Sequence, residues 1–183
     1  MFFKRLIYSV RLWTIKSPMK RVEYLKKKKV FKSIGNRVMI QSRKIPLYPE
    51  LIKIHNNVWI ASGVKFITHD VTHFMLNGMD KGRGYEEKVG CIEVMNNVFI
   101  GANSMILYDV KIGNNVIIAA GSVVTRDIPD NCIVGGVPAK VIGDFNEYYI
   151  KRQSQSLVNI LQSKNYTKDK QGICWEEFEK KRK

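Results

Sequence analysis

From Ile92 to Ile128 an aliphatic residue recurs at every sixth position. Val94, Ile100, Ile106, Ile112, Ile118 and Val124 open successive blocks, and Val98, Ser104, Val110, Val116, Ser122 and Ile128 stand four places later in them. An α-helix spaces its apolar residues by three and four, and a half-buried strand alternates them. Neither gives a period of six. A large aliphatic paired with a small or β-branched residue at that period predicts a parallel β-helix. Each block is one short strand and a turn, three blocks close a triangular coil, and stacking buries the opening aliphatic along the axis. Gly, Asn and Asp at intermediate positions suit the turns because they tolerate positive φ.

The same period starts at Ile34, Val38 and Ile40, breaks over 41–51 where Pro46 and Pro49 mark a loop, and resumes through Ile54, Val58, Ile60, Val64 and Phe66. It vanishes again in a polar, Gly-rich excursion over 70–91. A loop of that length inside a compact domain is a candidate active-site wall. The repeats therefore occupy 34–143, between an arm at 1–33 and a segment at 144–183. In the first arm, Phe2, Phe3, Leu6, Ile7, Val10 and Trp13 share one helical face, with Lys4, Arg5, Arg11 and Lys16 opposite. Ser17-Pro18 ends that helix, and a second helical piece, 19–31, carries the run Lys26 to Lys29. The apolar face predicts either a cap over the open first coil or a membrane-surface anchor through 1–17. The lysine run reads as a solvated face. Beyond the coils, 145–162 has helical spacing through Tyr149, Ile150, Leu157, Val158 and Leu161, and a polar, basic tail follows, with Trp175 and Phe178 in it.

Charge changes the picture more than composition does: 31 Lys and Arg against 16 Asp and Glu give +15, with much of the excess in the arms. The basic stretches lack the interleaved aromatic or glycine patterns of nucleic-acid modules, so no nucleic-acid partner is expected. Three widely spaced cysteines without CxxC read as reduced thiols of a cytoplasmic protein. The apolar start is interrupted by Lys4, Arg5 and Arg11, unlike a cleavable signal peptide, and no stretch approaches the roughly 20 apolar residues of a bilayer span.

Ile100-Gly-Ala, Ile112-Gly-Asn-Asn-Val-Ile, Ala120-Gly-Ser-Val-Val-Thr-Arg-Asp-Ile-Pro and Val134-Gly-Gly-Val-Pro-Ala-Lys-Val-Ile resemble the hexapeptide-repeat acyltransferases, and within them the branch that O-acetylates sugars and polysaccharides. The resemblance implies a left-handed sense for the coil, a homotrimer, and acetyl-CoA as co-substrate in the groove between subunits, with no metal. It puts the family's catalytic histidine at His69, about 30 residues ahead of the Ile100 block. That assignment meets a chemical need: a sugar hydroxyl is a poor nucleophile until a base near neutral pKa removes its proton. Asp70 is a candidate to orient the imidazole, although neighbours on a strand point to opposite faces. His73 is either a substrate contact or incidental, and His55, at an outward position, is incidental. By the same resemblance Ala102 supplies an oxyanion donor and lies on the cofactor path. Ala120, Ser122 and Thr125 flank the pantetheine arm, and Arg126 and Lys140 face the phosphates. Gly143 stands where relatives carry a second basic residue, and Ala119 where they carry glycine, a site that needs only negative φ.

Two other readings compete. A metal-dependent hydratase of the γ-carbonic-anhydrase-like type shares this fold, but the three residues between His69 and His73 and the early position of His55 miss its histidine spacing. A non-enzymatic basic adaptor for membrane or nucleic acid is permitted by the charge alone. The repeats do not distinguish among free, nucleotide-linked, lipid-linked and polymeric saccharide acceptors. The basic amphipathic start favours a cell-surface polysaccharide or its precursor, made at the inner face of a bacterial membrane.

Overall fold

The computed structural model describes residues 2–80, 83–154, 168–180 and 182. Strands of two to four residues are the rule because each repeat block turns a corner before a longer strand can form. They stack into three sheets. Face one joins Ser33–Ile34, Ile52–Ile54, Ile92–Val94 and Val110–Ile112 in parallel. Face two joins Met39–Ile40, Val58–Ile60, Val98–Ile100, Val116–Ile118 and Cys132–Gly135 in parallel, and Lys140–Asp144 folds back antiparallel on its end. Face three holds Lys65–Ile67, Met105–Leu107 and Val123–Val124. Residues 136–139 form the turn between these last two strands.

In-register pairing lines the block-opening residues up as Ile54–Val94–Ile112, Ile60–Ile100–Ile118–Val134 and Phe66–Ile106–Val124. All of these except Phe66 expose 1% or less of their surface. Each such side chain contributes roughly 1.5–3 kcal/mol on leaving water, so these columns hold the prism together.

Asparagines make one corner of it. Asn36 N–H donates to Asn56 Oδ1, Asn56 to Asn96 Oδ1, Asn96 to Asn114 Oδ1 and Asn114 to Asp130 Oδ1, over 2.7–3.2 Å. Beside this ladder Asn57, Asn97, Asn115 and Asn131 pass side-chain amide bonds of 2.8–2.9 Å from coil to coil. All four of this second row have φ between 55° and 58°, the left-handed conformation that asparagine tolerates better than branched residues. Gly101 answers a different need: a Cβ there would meet Ala120 N at 2.4 Å, so the two coils approach too closely for any side chain. Ala119 keeps a negative φ, as its position requires.

The N-terminal arm forms two helices, α1 (Phe2–Thr14) and α2 (Pro18–Lys27), divided at Ser17, which caps α2 by accepting from Lys20 N–H. Helix α2 closes the open first coil: Val22 and Leu25, with Val30 and Phe31 just beyond it, are buried in the core. Helix α1 docks through Tyr8 and Leu12, the latter fully buried, with Tyr8 edge-on to Tyr24 at 6.2 Å. Of the two alternatives for the apolar face, the cap is not made: that face is turned away from the coil, with Leu6 and Ile7 52%, Val10 59% and Trp13 64% exposed. The reason is that Tyr8 and Leu12, on the other side of the helix, fit the gap beside α2. The side chains of Phe2, Phe3 and Lys4 lie outside the described residues.

Residues 147–183 form a second unit. Helix α4 (Phe145–Ser154) leads into it, and α5 (Lys168–Lys180) is helical where a tail was expected. In α5 Trp175 and Phe178 pack edge-on at 5.4 Å and Arg182 lies over the Phe178 ring. The predicted helical positions Leu157, Val158 and Leu161 lie outside the described residues.

One buried charge ties the arm to the coils. The Arg21 guanidinium, 3% exposed, donates from Nη1 to Ile15 O and Lys16 O at 2.9 and 3.0 Å, and from Nη2 to Gln41 O and Ile40 O at 3.2 and 3.4 Å. Burial, and then the neighbouring Arg43, lower its pKa. Arg21→Ala strands several carbonyls, each unmet group costing about 1–3 kcal/mol. Urea unfolding of Arg21→Ala is therefore expected to show a loss of at least about 2 kcal/mol. Arg21→Lys should recover little of it, because an ammonium cannot span the same carbonyls.

Candidate functional site

The chain leaves the coil immediately after face three. Thr68 is fully buried and its hydroxyl donates to Leu47 O, which ties the 41–48 loop to this point. His69 and Asp70 then pair antiparallel with Val89 and Lys88, so the excursion is closed at its base by a two-residue ladder. Inside it α3 (Thr72–Met79) forms where a loop was expected. Asp70 Oδ1 starts that helix by accepting from Thr72 N–H at 3.1 Å and Thr72 Oγ1 at 2.6 Å. Asn77 then holds both polar groups of the Tyr85 backbone, at 2.7 and 2.9 Å.

His69 is half-buried. Its Nδ1 is buried and has no hydrogen-bond partner among the described residues. The Tyr48 ring stands edge-on to the imidazole, centroids 5.6 Å apart, and Tyr48 Oη donates to Glu87 Oε2 at 2.7 Å. That hydrogen bond is the main reason the Tyr48 pKa is raised. Tyr48 itself has φ 51°, so this aromatic wall stands on left-handed backbone. His69 also lines a groove of about 710 Å³ bounded by Arg5 and Trp13 of α1, the 41–47 loop and Lys65–Ile67.

Asp70 does not serve the imidazole. Oδ1 is taken by Thr72, and Oδ2 accepts from Tyr108 Oη at 2.6 Å. The Thr72 bond first, then Tyr108, bring the Asp70 pKa down to about 2. Lys88 lies over the Tyr108 ring at 4.9 Å and completes the cluster at the base of the excursion. His73 stacks on Phe74 at 4.1 Å, also with a buried, unpartnered Nδ1. His55 pairs with Glu93 at 3.0 Å on the outside of face one. Among the described residues no three of His, Cys, Asp and Glu gather as a metal-binding group.

The remaining candidates lie along the coil. Ala102 O accepts from Gly121 N–H at 2.8 Å, next to Ala120 at the corner between faces two and three, and the Ala102 and Ala120 side chains are small and outward. Ser122 is different: its side chain is fully buried and donates to Ala119 O at 2.6 Å, so only its backbone remains for an outside ligand. Thr125, Arg126 and Lys140 are exposed. The register Phe66–Ile106–Val124 puts Thr125 and Arg126 two coils along the axis from Ile67 and Thr68. At sheet spacing this is roughly 10 Å. Sequence reasoning missed Tyr48, Glu87 and Tyr108. The coil position of Tyr108 follows from the repeat, but its bond to Asp70 depends on the excursion.

Comparison with known proteins adds four findings. The bacterial transferase hexapeptide (six repeats) model matches residues 92–126. Protein CapG of Staphylococcus aureus is 48% identical over 122 residues, covering 66% of this chain and 63% of CapG. Among solved structures, a hexapeptide-repeat-containing acetyltransferase from Vibrio cholerae superposes with a TM-score of 0.62 at 20% identity, over 78% of this chain and 89% of that one, a likeness of fold. A galactoside acetyltransferase in complex with coenzyme A superposes with a TM-score of 0.54 at 26% identity, over 79% and 82%. The chain spans between about half and 63% of the length of the first curated relatives it matches.

Because its folded pKa is depressed, the Asp70 carboxylate contributes stability above its unfolded pKa of about 4, and this is lost as pH falls toward about 2. Hydrogen-exchange protection at Thr72 and Phe74 is expected to drop across that window ahead of the coil amides. Asp70→Asn should remove the dependence, and protection that holds down to pH 2 refutes the anchoring role.

Proposed function

We propose that this chain, whose residues 92–126 match the bacterial transferase hexapeptide family, is an acetyl-CoA-dependent O-acetyltransferase acting on a saccharide hydroxyl. The observation that carries this reading is His69, an imidazole at the mouth of a groove with one nitrogen buried and aromatic support from Tyr48. The acceptor hydroxyl gives its proton to Nε2 of His69 and attacks the thioester carbonyl. The tetrahedral intermediate places its oxyanion on the Ala102 N–H. The C–S bond then breaks, and the coenzyme A sulfur recovers the proton from the imidazolium. Preorganised donors of this kind stabilise charge as it develops, without solvent rearrangement. Ala120, the Ser122 backbone and Thr125 line the pantetheine path, and Arg126 and Lys140 meet the phosphates. The relatives support the class: one solved neighbour is a galactoside acetyltransferase in complex with coenzyme A. The outward apolar face of α1 beside the basic groove supports a cell-surface polysaccharide, or its precursor, as the acceptor.

The coil is left-handed in this reading, and three copies assemble around it. Support for the trimer comes from the outer side of face two, where Met39, Trp59, Phe99, Ile117 and Ile133 stack in register. Trp59 and Phe99 are 41% and 45% exposed, and aromatic ridges of this kind mark contact surfaces. No described helix is long enough and apolar enough to cross a membrane. In this reading α1 holds the enzyme at the inner membrane surface, beside its acceptor.

His69→Ala is expected to lower kcat by roughly 10²–10⁴ while leaving coenzyme A affinity within about twofold, the pattern of a lost general base. Turnover near the parent value sinks the assignment. Sedimentation equilibrium should return the mass of three chains, and Phe99→Asp should shift it toward one; a fully active monomer excludes a shared site.

A further inference from the structure

The groove at His69 has a composition that a neutral sugar does not explain. Four permanent cations line it, Arg5, Arg43, Lys44 and Lys65, and no Asp or Glu is among its described lining residues. Arg43 Nε is buried and lacks a hydrogen-bond partner among the described residues, while its guanidinium lies over the Trp13 ring at 5.3 Å. Below this rim the walls are apolar, through Ile45, Leu47 and Phe66. The cavity exists because the 41–48 loop leaves the repeat. Face three starts only at Lys65, so no earlier strand covers Phe66 from that side. A basic rim above an apolar trough suits an anion with a hydrocarbon attached, since an anionic head is drawn to Arg43, Lys44 and Lys65 while its chain leaves water in the trough.

Helix α1 points the same way. Trp13 both lines the groove and ends the exposed row Leu6, Ile7, Val10 and Trp13. An apolar strip that size, left in water beside exposed Arg11, Lys16 and Lys20, matches an in-plane membrane helix. The trough is thus continuous with a lipid-seeking surface at one end and with His69 at the other.

We infer that the acceptor is a saccharide joined through phosphate to a lipid chain: the phosphate is held by Arg43, Lys44 and Lys65, the first part of the chain lies along the trough and Trp13, and the sugar reaches His69. This rests on the acetyl-transfer reading for the role of His69, but it is tested by binding alone. Farnesyl phosphate, titrated into the full-length protein and followed by calorimetry, is expected to bind at least tenfold more tightly than farnesol, inorganic phosphate or UDP-N-acetylglucosamine. Arg43→Gln and Lys65→Gln should each weaken farnesyl phosphate roughly tenfold, the worth of one charge-assisted contact, with coenzyme A affinity unchanged. Lys65 is exposed on the outer side of face three, so its variant remains informative should Arg43→Gln fold poorly. Farnesol binding as well as its phosphate, UDP-N-acetylglucosamine binding as tightly as farnesyl phosphate, or a Lys65→Gln affinity equal to the parent's each overturns the inference. Failure of the acetyl-transfer reading shows separately, as absent coenzyme A binding while farnesyl phosphate still binds.

Discussion

Coil stacking is the constraint on which everything else here depends. Strands of two to four residues have no stability of their own. Each one persists because its backbone bonds reach a full coil away: Gly35 N–H to Ile54 O, His55 N–H to Val94 O, Met95 N–H to Ile112 O and Gly113 N–H to Ile128 O, all within 2.8–2.9 Å. A slip of one residue in any coil turns the buried aliphatics outward and breaks both asparagine ladders. The register is therefore rigid, and irregularity is confined to segments that leave the prism altogether.

Two segments do so, and the candidate chemistry gathers where they meet. The 41–48 loop opens the apolar trough and supplies Tyr48, and the 70–91 excursion supplies Glu87 and Lys88. The Thr68 hydroxyl and the Tyr48–Glu87 bond join the two departures around His69. A catalytic base needs this combination of a rigid backbone and an irregular wall: the coil fixes the imidazole, and the loops shape what can reach it. Asp70 belongs to the structural side of this division. Its bonds to Thr72 and Tyr108 hold the excursion to the next coil, so that the wall keeps its place relative to His69.

The arm divides its work in a similar way. Helix α2 completes the core with Val22 and Leu25, and Arg21 fastens both helices to the first coil through four carbonyls. This leaves the other side of α1 apolar and outward, next to a basic groove. The excess positive charge thus has a location as well as a magnitude. In the groove it is concentrated where a phosphate-bearing acceptor would sit, and along Lys27 to Lys29 it faces solvent.

The six-residue period determined by itself that a parallel β-helix forms, which residues fill its core and where it is interrupted, because every block repeats the same local requirement. The family resemblance, not the period, pointed to His69, helped by there being only three histidines in the chain. Contacts between segments distant in sequence were decided only by the fold. Nothing local announces that Tyr48 stands against His69, that Tyr108 takes the second oxygen of Asp70, or that Ser122 turns inward to Ala119. The orientation of α1 was left open for the same reason. An amphipathic pattern shows that a helix has two faces, but the gap it packs into chooses between them, and here Tyr8 and Leu12 fitted that gap.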